Sequence, residues 1–140
     1  MADVMKKQFY RQRSDFDKSC VERDKKFTMP KGVEYTENIA YASDGNPAHM
    51  LDIFRPKNTE GKLLPVIINI HGGGLIIGNK GFNKYFCALL SKRGFLVYSV
   101  EYRLVPDCTI YDQFRDVFMA MDYIKERIKT DGGDDKQVYM

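Results

Sequence analysis

The chain is 140 residues long, 44% hydrophobic, 29% charged and 13% aromatic. That is the length of one domain and the composition of a globular one, which excludes wholesale disorder. The longest apolar run, Leu63–Ile70, contains Pro65 and Asn69 and falls well short of the ~20 residues of a membrane span. The sequence opens without an apolar secretory stretch, so a cytoplasmic location is expected. The net charge of +3 is unevenly placed: residues 1–32 carry nine basic and five acidic side chains, the remainder thirteen and fourteen. A near-neutral core is not built to neutralise phosphates, so no nucleic-acid partner is expected. Three cysteines without CxxC spacing (Cys20, Cys87, Cys108) and two histidines (His49, His71) argue against a disulfide framework and a metal centre. They fit a reducing compartment.

Residues 1–32 read as an N-terminal helical arm of one or two weak helices. Phe9, Phe16 and Cys20 form a sparse stripe among charges, and Pro30-Lys31-Gly32 closes the segment with a turn signal. The core, residues 33–140, opens with strands at Val33–Ala42 and His49–Arg55. Ser43-Asp44-Gly45-Asn46-Pro47 joins them as an antiparallel hairpin. Pro65–Ile70 and Phe95–Val100 are continuous apolar runs, the pattern of strands covered on both faces of a parallel sheet. Between them a helix is predicted over residues 80–93, burying Phe82, Tyr85, Phe86, Leu89 and Leu90, with Gly94 as C-terminal cap. A second helix is predicted over 112–130, burying Phe114, Val117, Phe118, Met121, Ile124 and Ile128, capped by Thr109 or Asp112. Asp131–Asp135 reads as a turn, and Gln137–Met140 begins a further strand. The fold class is α/β: an N-terminal β-hairpin followed by parallel strand–helix–strand units.

The sharpest motif is His71-Gly72-Gly73-Gly74, directly after a buried strand. Ligands sit at the carboxyl ends of strands in open parallel sheets. Successive glycines there let backbone N–H groups approach a ligand and stabilise a developing oxyanion. A flexible turn that starts the next helix is the plain alternative. A phosphate loop fits poorly: Gly78 falls one residue late for G-x-G-x-x-G, and no Gly-Lys-Ser/Thr ending follows. Cys87 lies in a predicted helix and reads as a buried structural thiol.

The string Val66–Gly74, followed by Tyr98–Asp107 with Tyr102-Arg103-Leu104-Val105-Pro106-Asp107 at its centre, resembles the α/β-hydrolase superfamily. More narrowly it resembles esterases and lipases of the hormone-sensitive-lipase-like type. Leu51–Pro56 and Asp116, in Gln113-Phe-Arg-Asp116, also match that pattern. The resemblance implies a serine-type carboxylic-ester hydrolase acting on a small ester, without metal or organic cofactor. It implies an oxyanion hole at Gly73 and Gly74, with Gly72 next, and a loop-orienting role for His71. It also implies a cap formed in part by the arm. Leu75, Ile76 and Ile77 then either wall an acyl pocket or pack beneath the loop. The family's nucleophile sits in a G-x-S-x-G elbow after the fifth strand. None of Ser14, Ser19, Ser43, Ser91 or Ser99 has that context. No catalytic triad residue is therefore assigned, and the expectation is an incomplete hydrolase fold, truncated before the elbow and inactive alone. An exposed sheet edge would then favour self-association. The alternative is a non-catalytic interaction module derived from the same fold.

Overall fold

A computed structural model describes residues 2–140; Met1, the first residue of the arm, lies outside them. The elements are α1 (Ala2–Asp24), β1 (Val33–Ala40), β2 (Met50–Pro56), β3 (Leu64–Ile70), α2 (Lys84–Lys92), β4 (Leu96–Val100), α3 (Ile110–Arg127) and β5 (Gly133–Tyr139). They build one five-stranded sheet in the order β1-β2-β4-β3-β5. β1 pairs antiparallel with β2, and β2 antiparallel with β4. β3 lies parallel to both β4 and β5. The β1–β2 connection is built by Asx turns: Asp44 Oδ1 accepts from Asn46 N–H and Asn46 Oδ1 from Ala48 N–H, each at 3.0 Å.

β4 is buried along its whole length, and its alternating side chains divide two cores. Leu96, Tyr98 and Val100 join Val66, Ile68, Ala120, Ile124 and Ile128 on the α3 side. Val97 joins Phe54, Cys87 and Ala88 on the α2 side. Sealing a large side chain such as Leu51, Phe54 or Leu96 from water contributes about 1.5–3 kcal/mol each.

Several boundaries differ from the sequence expectation. α1, expected as one or two helices, is a single 23-residue helix. Residues 80–83 form turns, and α2 begins at Lys84. α3 begins at Ile110 because Thr109 and Asp112 form a reciprocal capping box that satisfies two helix-start donors. β5 begins inside the predicted turn, because Gly133 pairs with Leu64 of β3.

The buried helix faces are corrected as well. α2 buries Cys87, Ala88 and Ser91, while Phe86 and Leu89 are exposed. α3 buries Gln113, Asp116, Ala120 and Ile124, while Phe114 and Phe118 are exposed. In α2 small residues face the sheet and let the helix approach it. In α3 Gln113 and Asp116 meet the loops. Ala120, Ile124 and Ile128 meet the sheet core, the last two as predicted, and Phe114 and Phe118 lie to one side.

Candidate active site

The parallel register of β3 and β4 places Ile70 beside Val100. The next residues, His71 and Glu101, therefore emerge together at the carboxyl end of the sheet. His71 is buried. Its Nε2 lies 3.0 Å from Glu101 Oε1, and its Nδ1 lies 2.9 Å from the Gly72 carbonyl. The Tyr102 ring stacks on the imidazole at 4.3 Å, and Tyr102 O–H donates to the His71 carbonyl at 2.6 Å. Burial, with Glu101 nearby, raises the Tyr102 pKa and keeps that hydroxyl a donor. Glu101 Oε2 accepts from Lys80 N–H at 3.0 Å. One carboxylate thus ties the histidine to the far end of the glycine loop.

Gly73 has φ +133°, and a Cβ there would lie 1.9 Å from the Ile77 carbonyl oxygen. Gly78 has φ +106°, and its Cβ would meet Gly72 O at 2.4 Å and His71 Nδ1 at 2.5 Å. Both positions require glycine. Gly72 faces open space. Leu75 holds φ +71°, a costly conformation for a side chain with a Cβ. Its carbonyl is pinned by Val105 N–H at 3.0 Å and Gln113 Nε2 at 2.9 Å. Among the described residues, the N–H groups of Gly72, Gly73 and Gly74 meet no acceptor. Three consecutive free donors on a fixed loop can receive an oxygen that carries negative charge.

Arg103, after β4, makes a two-pronged bond to Asp116 of α3: Nε to Oδ2 at 2.8 Å and Nη2 to Oδ1 at 2.7 Å. Its backbone N–H adds a third, at 3.0 Å. Burial pushes Asp116 up, but Arg103, aided by His49, outweighs it and holds the carboxyl below its ordinary range. His49 Nδ1 lies 2.7 Å from Asp44 Oδ2. Its Nε2 lies 3.1 Å from Asp116 Oδ1, off the hydrogen-bond axis. Asn69, Asn83, Ser99 and the Lys80 carbonyl form a further network at 2.8–3.0 Å. Ser99 is fully buried and is a packing residue of β4. Cys87 is also sealed, and burial pushes its thiol up to about 12.

α1 lies against the loops of this end of the sheet. Arg13 and Tyr10 bond Asp107, Asp17 accepts from Asn79, and Phe16 packs on Phe82 with ring centroids 5.1 Å apart. A cleft of about 770 Å³ opens between α1 and the 46–48 and 101–107 loops. A separate apolar hollow of about 170 Å³ is lined by Ile70, Leu75, Tyr102, Gln113 and Phe114 among others. Leu75 thus reaches an apolar wall, while Ile76 and Ile77 are half-buried in the turn.

His71, Gly72, Gly73 and Gly74 lie together directly after β3, at the carboxyl end of the sheet. Glu101, Asp116 and Gln113 brace this end of the sheet from outside the glycine motif. For Glu101 a signal existed: an acid directly after a buried parallel strand, level with His71. Gln113 and Asp116 lie three residues apart, on one helix face. Among the described residues, no group of three His, Cys, Asp or Glu side chains is placed to hold a metal ion. No helix is long and apolar enough to cross a membrane.

The mixed sheet order, the two parallel crossovers and the loop after β3 define an incomplete α/β-hydrolase fold. The BD-FAE family model matches residues 51–140, and the chain belongs to that family. A probable isoprenylcysteine alpha-carbonyl methylesterase of Arabidopsis thaliana is 31% identical over 96 residues, covering 69% of this chain and 22% of the relative. Esterase B of Lactobacillus rhamnosis, crystallised with a tributyrin phosphonate inhibitor, superposes with TM-score 0.92 at 23% identity over 99% of this chain and 45% of its own. A bacterial heroin esterase superposes with TM-score 0.79 at 29% identity, over 93% of this chain and 41% of its own. The chain therefore spans about a fifth of the curated relative's length and less than half of each solved esterase.

Proposed function

We propose that this chain carries the oxyanion-binding half of a serine-type carboxylic-ester hydrolase that acts on a small ester. The observation that carries this is the set of unengaged N–H groups on Gly72, Gly73 and Gly74, on a loop braced by His71, Glu101 and Tyr102. Gly73 and Gly74 hold the tetrahedral oxyanion, Gly72 assists, and His71 orients the loop. In such a site each donor contributes about 3–4 kcal/mol of transition-state stabilisation. Residues 33–140 form the hydrolase core, and residues 1–32 a cap segment. No triad member is assigned among these residues. A serine in a G-x-S-x-G elbow, with its acid and histidine, belongs to the remainder of a complete enzyme. The three free cysteines support a reducing, cytoplasmic setting.

The test pairs this chain with the C-terminal segment of a related esterase that starts at its nucleophile elbow. The chain alone is expected to show no turnover of a short-chain aryl ester above a heat-killed control. The pair is expected to recover weak turnover, lost with Ser→Ala in the added segment and with Gly73→Val here. Turnover by the chain alone that survives Gly73→Val would overturn the assignment. The competing interaction-module reading draws on the exposed edge of the sheet at β5 and on the basic arm. It predicts a well-behaved monomer that no added segment activates.

A further inference from the structure

We propose that Arg13 of α1 is a positioning residue that orients and polarises the Gly74 N–H through two successive peptide groups; the proposal rests on the oxyanion role given above to that N–H. Arg13 uses all three guanidinium nitrogens on three acceptors in two loops. Nε donates to the Ile76 carbonyl at 3.2 Å, Nη2 to the Val105 carbonyl at 2.9 Å, and Nη1 to Asp107 Oδ2 at 2.8 Å. Asp107 Oδ1 accepts from Tyr10 O–H, one helical turn earlier. The guanidinium is thereby fixed from every side. α1 itself buries little apolar surface, with Cys20 its buried apolar residue among those described.

The Ile76 carbonyl shares a rigid, planar peptide group with Ile77 N–H. Ile77 N–H donates to the Gly73 carbonyl at 3.1 Å. The Gly73 carbonyl in turn shares a peptide group with Gly74 N–H. The order is guanidinium, Ile76–Ile77 peptide, Gly73–Gly74 peptide, free N–H. Each hydrogen bond aligns the next dipole, and a cation at the acceptor end draws electron density toward itself along the chain. Gly74 N–H becomes a stronger and better-aimed donor to an anion. A closing bond from Ile76 N–H to the Gly73 carbonyl, at 3.3 Å, holds the same turn. Asp107 is the carboxylate facing the guanidinium. Tyr10 and Arg13 hold it in the ionised form, and its charge is spread over both partners instead of cancelling Arg13 at the Ile76 carbonyl.

The experiment uses the full chain labelled with ¹⁵N and reads amide exchange at Ile77 and the Gly74 amide resonance. Arg13→Gln is expected to speed Ile77 exchange about tenfold, as the loss of one hydrogen bond would, and to move the Gly74 resonance. Arg13→Lys, which keeps the charge and one donor, is expected to recover part of both. Arg23→Gln removes a bond from α1 to the Phe82 carbonyl outside the relay, and is expected to leave both signals in place. Unchanged signals in Arg13→Gln overturn the proposal. So does an equal change in Arg23→Gln, which would mean that docking of α1 as a whole controls the loop. These readouts need no ester turnover. Failure to recover activity in the paired enzyme would count against the oxyanion assignment, while silent amides beside recovered turnover would count against Arg13 alone.

Discussion

His71 and Glu101 meet at 3.0 Å because each is the first residue past one of two adjacent parallel strands. The contact is a product of strand register, and it braces the loop on which the proposed function depends. Glu101→Ala leaves the Lys80 N–H and the buried imidazole without their acceptor. Unfolding in urea should show a loss of about 1–3 kcal/mol, with Glu101→Gln losing less. A midpoint unchanged in Glu101→Ala would mean that the carboxylate does not brace the loop.

The glycines of the loop should differ sharply in tolerance. Gly72→Ala points a methyl into open space and is expected to stay within about 0.5 kcal/mol of wild type. Gly73→Ala, with a Cβ 1.9 Å from a carbonyl oxygen and φ +133°, should cost about 1–3 kcal/mol or more. Thermal melts of the two variants, run side by side, check this. Equal melting temperatures would contradict the loop geometry.

Asp116 predicts acid lability. Its folded-state pKa is depressed, so the stability it contributes is complete above the unfolded carboxylate value of about 4. That contribution is lost as pH falls through the lower folded value. Asp116→Asn should be less stable by about 1–3 kcal/mol near neutrality, because Arg103 loses its two-pronged charged partner while solvent and Asp112 Oδ1, 4.0 Å away, compensate in part. Its stability should also fall less steeply on acidification. Urea midpoints between pH 2 and 7 test both points; parallel acid slopes for the two proteins would refute the role given to Asp116.

Exposed apolar residues on two elements predict self-association. Tyr111, Phe114 and Phe118 on α3, and Val138, Tyr139 and Met140 at the β5 edge, are all open to solvent. Size-exclusion chromatography should show oligomers, and an apolar dye should bind. Phe114→Glu with Phe118→Glu should reduce both. A monodisperse wild-type monomer without dye binding would favour the self-sufficient module.

Thiol labelling gives an independent check of packing. Cys87 is sealed, with its thiol pushed up to about 12, and Cys20 of α1 is buried. Cys108 is only partly covered. Iodoacetamide near pH 8 should modify Cys108 first and leave Cys87 unmodified until the chain unfolds. Early alkylation of Cys87 would contradict the α2 packing.

Local chemistry alone determined much of this protein. The runs Val66–Ile70 and Leu96–Val100 have the pattern of strands covered on both faces, and Asp44-Gly45-Asn46 has the pattern of a turn. A triple glycine after such a strand points to the carboxyl end of the sheet, where the proposed site lies. These are effects of neighbouring residues, and a sequence states them directly. The tertiary structure decided which helix face is buried. Hydrophobic periodicity selected Ile124 and Ile128, which are in the core, but also Phe114 and Phe118, which are exposed, while the polar Gln113 and Asp116 are buried. Their partners, the Leu75 carbonyl and Arg103, come from loops 38 and 13 residues away in sequence. Register likewise made Glu101 the neighbour of His71. The arm's place over the site came from Arg13 reaching carbonyls 63 and 92 residues distant. A hydrogen bond needs two groups within about 3 Å and in line, and which distant groups meet that condition is settled only when the chain has folded.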